Sequence, residues 1–320
     1  MPQNILPWKP DSFPLMLAPM QGVTNRIVRK LYIEWVRPDA VFTEFVRIKR
    51  ELRKRISASD LLEIAPVGDV PLIVQLIGYG AIELTEAAKQ MVDAGVQHIN
   101  LNLGCPFGRT TSGLTGGNVL RNTENLPDIL AGLRTVVPGS LSVKIRSGYD
   151  NPRQIFELLP LFEAVGLDFL ILHSRTVVQK YTGCADHTLT KEVVQATPLP
   201  VIANGDINTA AFGKKLQNDA NPAGLMLGRG GIADPVLFQR LRGEAPAEPS
   251  IAERRQILGR VLTGLLPVYS EFFCGEYQIL SKLKAVLSAM EVPELEEEIK
   301  ELKRINKLDV FVAAVNRLLP

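Results

Sequence analysis

The stretch Asn100 to Arg109, NLNLGCPFGR, holds the residue types best suited to chemistry. An extended apolar run stops there abruptly at asparagine, glycine, cysteine and proline. In a strand over Val96 to Leu103, Asn100 and Asn102 share one face while Ile99 and Leu101 share the other. Cys105 falls just past the strand end, between Gly104 and Pro106, where a fixed turn displays a thiol. Cysteine is also a good small hydrophobe, so the residue alone leaves a structural role open. Gln75, Lys144, Arg146, His173, Asn204 and the turn Gly228-Arg229-Gly230 close other apolar runs. Lys144, inside LSVKIR, needs a partner if it faces the interior of a barrel. It suits either a Schiff-base amine or a cation beside an anionic cofactor ring. The glycines and backbone N–H groups of IANGDI and LMLGRGG suit a ligand phosphate.

These side chains need a scaffold that brings strand ends together. Eight short runs fit: Phe13 to Ala18, Ala40 to Thr43, Leu72 to Ile77, His98 to Leu103, Leu141 to Arg146, Asp168 to His173, Pro200 to Asn204 and Gly224 to Gly228. Helical patterns alternate with them at Thr24 to Val36, Ala81 to Ala94, Leu126 to Val136, Pro152 to Val165, Asn208 to Leu216 and Pro235 to Arg242. Eight strands with helices between them, and no GxGxxG after the first, predict an α/β fold, the closed (β/α)8 TIM barrel. Arg242 to Ser250, with two prolines, reads as a linker, and the chain beyond it as a helical bundle. Ile279, Leu280, Leu283, Val286, Leu287 and Met290 form one apolar stripe there, and Leu295, Ile299 and Leu302 another. Glu294 and Glu296 to Glu298 open the last expected helix, and Lys303, Arg304 and Lys307 close it. The expected division is a catalytic barrel over 1–243 and a helical domain over 250–320.

The chain has 320 residues, 46% of them hydrophobic and 22% charged, with a net charge of +2, values ordinary for a soluble globular protein. No apolar run is long enough to span a bilayer, and the start MPQNILPWKPDSFP lacks the features of a secretory signal. Cys105, Cys184 and Cys274 are isolated, which fits a reducing cytoplasm and neither a disulfide framework nor structural zinc. Arg47, Lys49, Arg50, Arg53, Lys54 and Arg55 lie close together with one acid, Glu51, among them. Such a run is either a solvated face or a phosphate-contacting surface.

LAPMQGVT, VQLIG, NLGCP, VKIRSG, LHSRT with YTG, IANGDI and LGRGG, spread over residues 17 to 231, resemble in order and spacing the tRNA-dihydrouridine synthases. FVRIKR and the tail's Lys282, Lys284 and Arg304 look most like the C subfamily, which acts on uridine 16 of the D-loop. The resemblance implies bound FMN, reduced by NADPH, that reduces the C5=C6 bond of a tRNA uridine. Cys105 matches the acid that protonates C5. Pro19, Met20, Gln21, Gln75, Lys144 and His173 match the residues around the flavin ring and ribityl chain. Asn204, Gly205, Asp206, Gly228 and Arg229 match those at the phosphate end. Arg47, Asn102, Tyr181, Lys282, Lys284 and Arg304 would meet tRNA. No metal and no membrane are implied, and a monomer is expected. The chain departs from the family pattern in PFGRTTSG after Cys105, in Asn25 for a common aspartate, and in Asp186-His187 where an aromatic is usual. Two other classes fit parts of the pattern. An FMN barrel acting on a small enone would not need the basic run, and a non-catalytic RNA-binding protein would not need Lys144 or Cys105.

Overall fold

Short β-branched and aliphatic runs become strands in the computed structural model, which describes residues 6–48, 57–106 and 114–319. The strands are β1 Leu15–Leu17, β2 Ala40–Phe42, β3 Val46–Arg47, β4 Leu72–Ile77, β5 His98–Leu103, β6 Leu141–Arg146, β7 Phe169–His173, β8 Val201–Asn204 and β9 Gly224–Leu227. All pairings are parallel, and the β1–β9 and β2–β4 ladders close eight of them into a ring. The fold is therefore the expected (β/α)8 barrel. The added strand, β3, pairs Val46 with Leu76 and Arg47 with Ile77 at the rim, and two residues are too few to show a period in sequence.

Alternation along each strand sorts the side chains. Met16, Phe42, Ile73, Phe169, Ile171, Ile202 and Met226 fill the inside of the ring, with Trp8 set edge-on against Phe169. Ile99, Leu101, Leu103, Val143 and Ile145 face outward, against Leu130, Leu133 and Ile155 of the surrounding helices. Each such leucine or isoleucine contributes about 1.5–3 kcal/mol by leaving water. The barrel layer holds α1 Arg26–Trp35, α2 Ala58–Glu63, α3 Ala81–Asp93, α4 Leu126–Val136, α5 Gln154–Val165, α6 His187–Ala196, α7 Ala210–Ala220, α8 Arg229–Ala233 and α9 Leu237–Arg242. Sequence patterning misses α6, because HTLTKEVVQA is rich in β-branched residues of low helix propensity. Asp186 caps it, accepting from the N–H groups of Thr188 and Leu189. Helix α7 runs past the expected Leu216 to Ala220, through an exposed polar turn, and stops at Asn221 in left-handed conformation.

The tail is α10 Ile251–Phe272, α11 Glu276–Ala289, α12 Glu296–Arg304 and α13 Leu308–Asn316. Lys307 does not close the last helix as expected. It is the N-cap of α13, and the basic last turn of α12 is Lys303 and Arg304. Leu258, Leu262, Leu265, Leu283 and Leu287 share one apolar core with Val28 and Tyr32 of α1. Buried Arg240 ties the connecting segment down, donating to Asp234, to the Pro246 carbonyl and to Glu253. Among the described residues no helix is long and apolar enough to cross a membrane.

Candidate active site

Ladder register sets the polar residues of the barrel side by side. Asn102 pairs with Lys144, Arg146 with His173, His173 with Asn204, and Asn204 with Met226. Below them runs a buried amide chain. Gln75 Nε2 donates to Asn100 Oδ1 at 2.8 Å, and Asn100 Nδ2 donates to Ser142 Oγ at 2.8 Å. Asn102 Nδ2 donates to Gln75 Oε1 at 2.8 Å. These groups satisfy one another in a place where unpaired amides would be costly. Gln75, expected beside the flavin, is fully buried and braces Asn102.

Asn102 in turn shapes the cysteine turn. Its Oδ1 accepts from the N–H groups of Gly104 at 3.1 Å and Cys105 at 3.0 Å. The Cys105 carbonyl accepts from Gly117 N–H at 3.0 Å. Space there is tight: a Cβ on Gly117 would lie 2.9 Å from that carbonyl oxygen. Cys105 is half-buried and forms no disulfide.

Beside this turn opens a cleft lined by Pro19, Met20, Lys144, His173, Tyr181, Asn204, Gly205, Asp206, Gly228 and Arg229 among others. Lys144 Nζ donates to Asn204 Oδ1 at 2.9 Å, and Asn204 Nδ2 donates to the Met226 carbonyl at 2.8 Å. Burial pushes the Lys144 ammonium down to about 7, nearby Arg146 adds to the fall, and Cys105 opposes it. His173 is pushed far below its usual range, first by burial and then by Lys144, Arg146, Arg175 and Arg229, so its ring is neutral. Arg175 Nη1 lies 3.2 Å from His173 Nε2 and must be the donor, which puts the ring proton on Nδ1.

Arg175 was not singled out from sequence. It is buried and grips Asp206 with two bonds, Nη1 to Oδ1 at 3.0 Å and Nη2 to Oδ2 at 2.7 Å. The pair lies 31 positions apart in the chain and is brought together by the neighbouring strands β7 and β8. Burial works to raise the Asp206 carboxyl, but the Ala185 N–H, Arg175 and Arg229 outweigh it and hold it below the usual carboxylate range. Asp206 has φ of 52° and Gly205 φ of 119°. A Cβ on Gly205 would lie 2.9 Å from His173 Cδ2, so only glycine fits. His187, a departure from the family pattern, holds this turn through Nε2 to the Gly205 carbonyl at 2.9 Å. Arg229 stands over Tyr181 at 4.9 Å and meets Glu291 of the tail at 2.8 and 3.0 Å. Glu291 too carried no signal in sequence.

The other expected site residues lie outside the cleft. Gln21 is exposed on the β1–α1 loop. Arg47 is half-buried in β3, over Phe45. Lys282 stands over Phe273 at 5.5 Å, Lys284 Nζ donates to Asn306 at 3.0 Å, and Arg304 is exposed at the end of α12. Lys49, Arg50, Arg53, Lys54 and Arg55 lie outside the described residues. Of the other two departures, residues 107–113 after Cys105 lie outside the described residues, and Asn25 caps α1 through Oδ1, while its Nδ2 donates to Tyr269 Oη of α10 at 3.1 Å. An aspartate could make the cap but not that donation. Among the described residues no cluster of His, Cys, Asp or Glu could hold a metal ion.

A parallel barrel with a buried lysine, a glycine-rimmed cationic cleft at its strand ends and a half-buried thiol just past β5 has the architecture of a barrel enzyme. The family model for dihydrouridine synthase matches residues 16–317, and the chain belongs to that family. It is 32% identical over 262 residues to a probable tRNA-dihydrouridine synthase of Rhodobacter capsulatus, covering 80% of this chain and 81% of the relative. It is 29% identical to the tRNA-dihydrouridine(16) synthase of Cupriavidus necator, covering 82% and 84%. A solved 2-naphthoyl-CoA reductase complex shares the fold, with TM-score 0.54 at 13% identity over 76% of this chain and 51% of that one.

Proposed function

We propose that the chain binds FMN in the Lys144 cleft and uses it, with NADPH as reductant, to reduce the C5=C6 bond of a D-loop uridine in tRNA, at position 16. Family membership gives the class of activity, and the juxtaposition of Cys105's turn with Lys144 is the observation that carries the mechanism. Position 16 draws on the likeness to the Cupriavidus necator enzyme. The cleft fits FMN. Gly228 leaves bare backbone facing open space, its nearest neighbour to an added Cβ being Ala18 at 3.8 Å. Lys144 on the floor and Arg229 on the rim offer cations to the ring and the phosphate. Pro19 and Met20 supply an apolar wall.

FMN, when bound, supplies hydride to C6 of the uracil. Lys144 would offer positive charge to the flavin from the cleft floor, and neutral His173 would offer an N–H without adding to that charge. Cys105 releases its proton to C5, and Asn102 keeps the thiol's turn in place. Tyr181 walls the mouth through which a splayed base enters. Residues 1–243 are proposed as the catalytic unit and 250–320 as the tRNA-binding one, in a cytoplasmic monomer. Mapping dihydrouridine in tRNA from cells with and without this protein tests the reading. Unchanged dihydrouridine at every position in the deleted strain would overturn it.

Two results are expected of the binding groups. Arg229→Glu should weaken flavin retention at least tenfold, because it removes a phosphate partner and sets a third acid beside Asp206 and Glu291. Equal flavin content in the variant and the parent would remove Arg229 from the phosphate site. Arg47→Glu with Arg50→Glu should lower the log–log salt slope of tRNA binding by about two while NADPH still reduces the flavin. An unchanged slope would return the basic run to a solvated face.

A further inference from the structure

Three features bind the peptide groups around Cys105, and the third is an arginine that the proposed chemistry does not use. Asn102 takes the N–H groups of residues 104 and 105, and Gly117 takes the 105 carbonyl. Arg146, at the end of β6, takes the remaining one: its Nε donates to the Gly104 carbonyl at 2.9 Å. The same guanidinium reaches the other way. Its Nη1 donates to the carbonyls of Thr176 at 2.9 Å and Lys180 at 2.5 Å, in the loop that carries Tyr181. Its carbon stands 5.3 Å from the centre of the Tyr181 ring. The side chain is 1% exposed, so it does not meet bulk solvent.

A buried arginine is expensive to desolvate, and among the described residues this one forms no ion pair with a carboxylate; its partners are backbone carbonyls and the Tyr181 side chain. Such an investment is unnecessary for filling space, because a leucine or methionine would do that at lower cost. What the planar fork supplies is geometry. One rigid group fixes the turn before Cys105 and the β7–α6 loop relative to each other, across the end of β6. On the uridine-reduction reading, the base would enter between the thiol's turn and the Tyr181 loop.

We propose that Arg146 is a positioning residue that holds Cys105 in register with the Tyr181 loop. The proposal deepens the uridine-reduction reading and rests on it for its kinetic arm. Arg146→Lys keeps the charge but loses the fork, so it isolates geometry. In that variant, flavin content and reduction of the flavin by NADPH should stay within about twofold of the parent. Reoxidation of the reduced flavin by tRNA should slow by about 10- to 100-fold, the scale of a misplacement near 1 Å.

A second measurement does not depend on flavin or tRNA. With Cys184→Ser and Cys274→Ser removing the exposed thiols, alkylation of Cys105 by iodoacetamide should speed up severalfold once the turn is unpinned. Arg146→Gln, which keeps two donors, should lie between the parent and Arg146→Lys in both measurements, and it serves alone if the lysine variant is insoluble. Unchanged alkylation in both variants would overturn the proposal. So would flavin loss with both half-reactions slowed in parallel, which is what a purely structural residue would show. If the parent itself binds no flavin, the uridine-reduction reading falls while the alkylation comparison still decides the role of Arg146.

Discussion

Replacing Cys105 with alanine is expected to slow dihydrouridine formation by about a hundredfold or more, the usual worth of a placed acid. Flavin content, NADPH oxidation and tRNA affinity should be unchanged. The geometry makes this a sharp test. The contacts from Asn102, Gly117 and Arg146 all go to backbone atoms of residues 104 and 105, so alanine leaves them in place. A thiol that only filled space would cost a little stability and no activity. An obligatory nucleophile would instead require an enzyme–tRNA adduct in every turnover. Hydride addition at C6 already makes the bond that a nucleophile would have to make, which favours the acid. Dihydrouridine formation at the parent rate by folded, flavin-loaded Cys105→Ala would take the acid role from this residue.

The barrel was legible because its strands are short, aliphatic and buried on both faces, so each ends sharply at a polar residue. Leu72–Ile77, His98–Leu103 and Leu141–Arg146 fall where the sequence places them to the residue. Lys144, His173 and Asn204 were legible for the same reason: each closes or interrupts a strand, and strand ends converge in a parallel barrel. What sequence could not give was the partner of each. Asp206 reads as a phosphate residue, yet its carboxylate faces Arg175 and Arg229, leaving the backbone of that turn for an anion. Gln75 reads as a cofactor contact, yet both ends of its amide are engaged inside the barrel. An arginine two residues past His173, with an acid two residues past Asn204 on the neighbouring strand, was the available signal for the Arg175–Asp206 pair. Glu291 had none, because its contact joins the tail to the rim over 62 positions.

Lys144→Met should stabilise the empty protein at low pH and lower the reduction potential of the flavin-bound protein. In the empty protein Lys144 is held near 7 by burial, with Arg146 adding to the fall, whereas an unfolded lysine titrates near 10.4. Between those values the unfolded chain binds more protons, so stability rises with pH across the window. The full cost of the charged lysine is present below pH 7. Methionine removes it, and the empty variant should therefore be more stable than the parent at pH 6, by about 1–3 kcal/mol, with Nζ open to the cleft reducing the gain. The gap should close as pH climbs from 7 towards 10. A lysine near 7 also suits Schiff-base chemistry, so its depressed value alone does not separate the two roles that a barrel lysine can play. The loaded protein separates them. A cation beside the ring favours the reduced flavin, and losing about 2 kcal/mol of that preference lowers the two-electron potential by about 40 mV. Denaturation curves at pH 6 and pH 9, and a redox titration of the bound flavin, measure the two effects. An unchanged potential in Lys144→Met would place the ammonium away from the ring, and a less stable empty variant at pH 6 would show that the lysine is paired more strongly than its single bond to Asn204 implies.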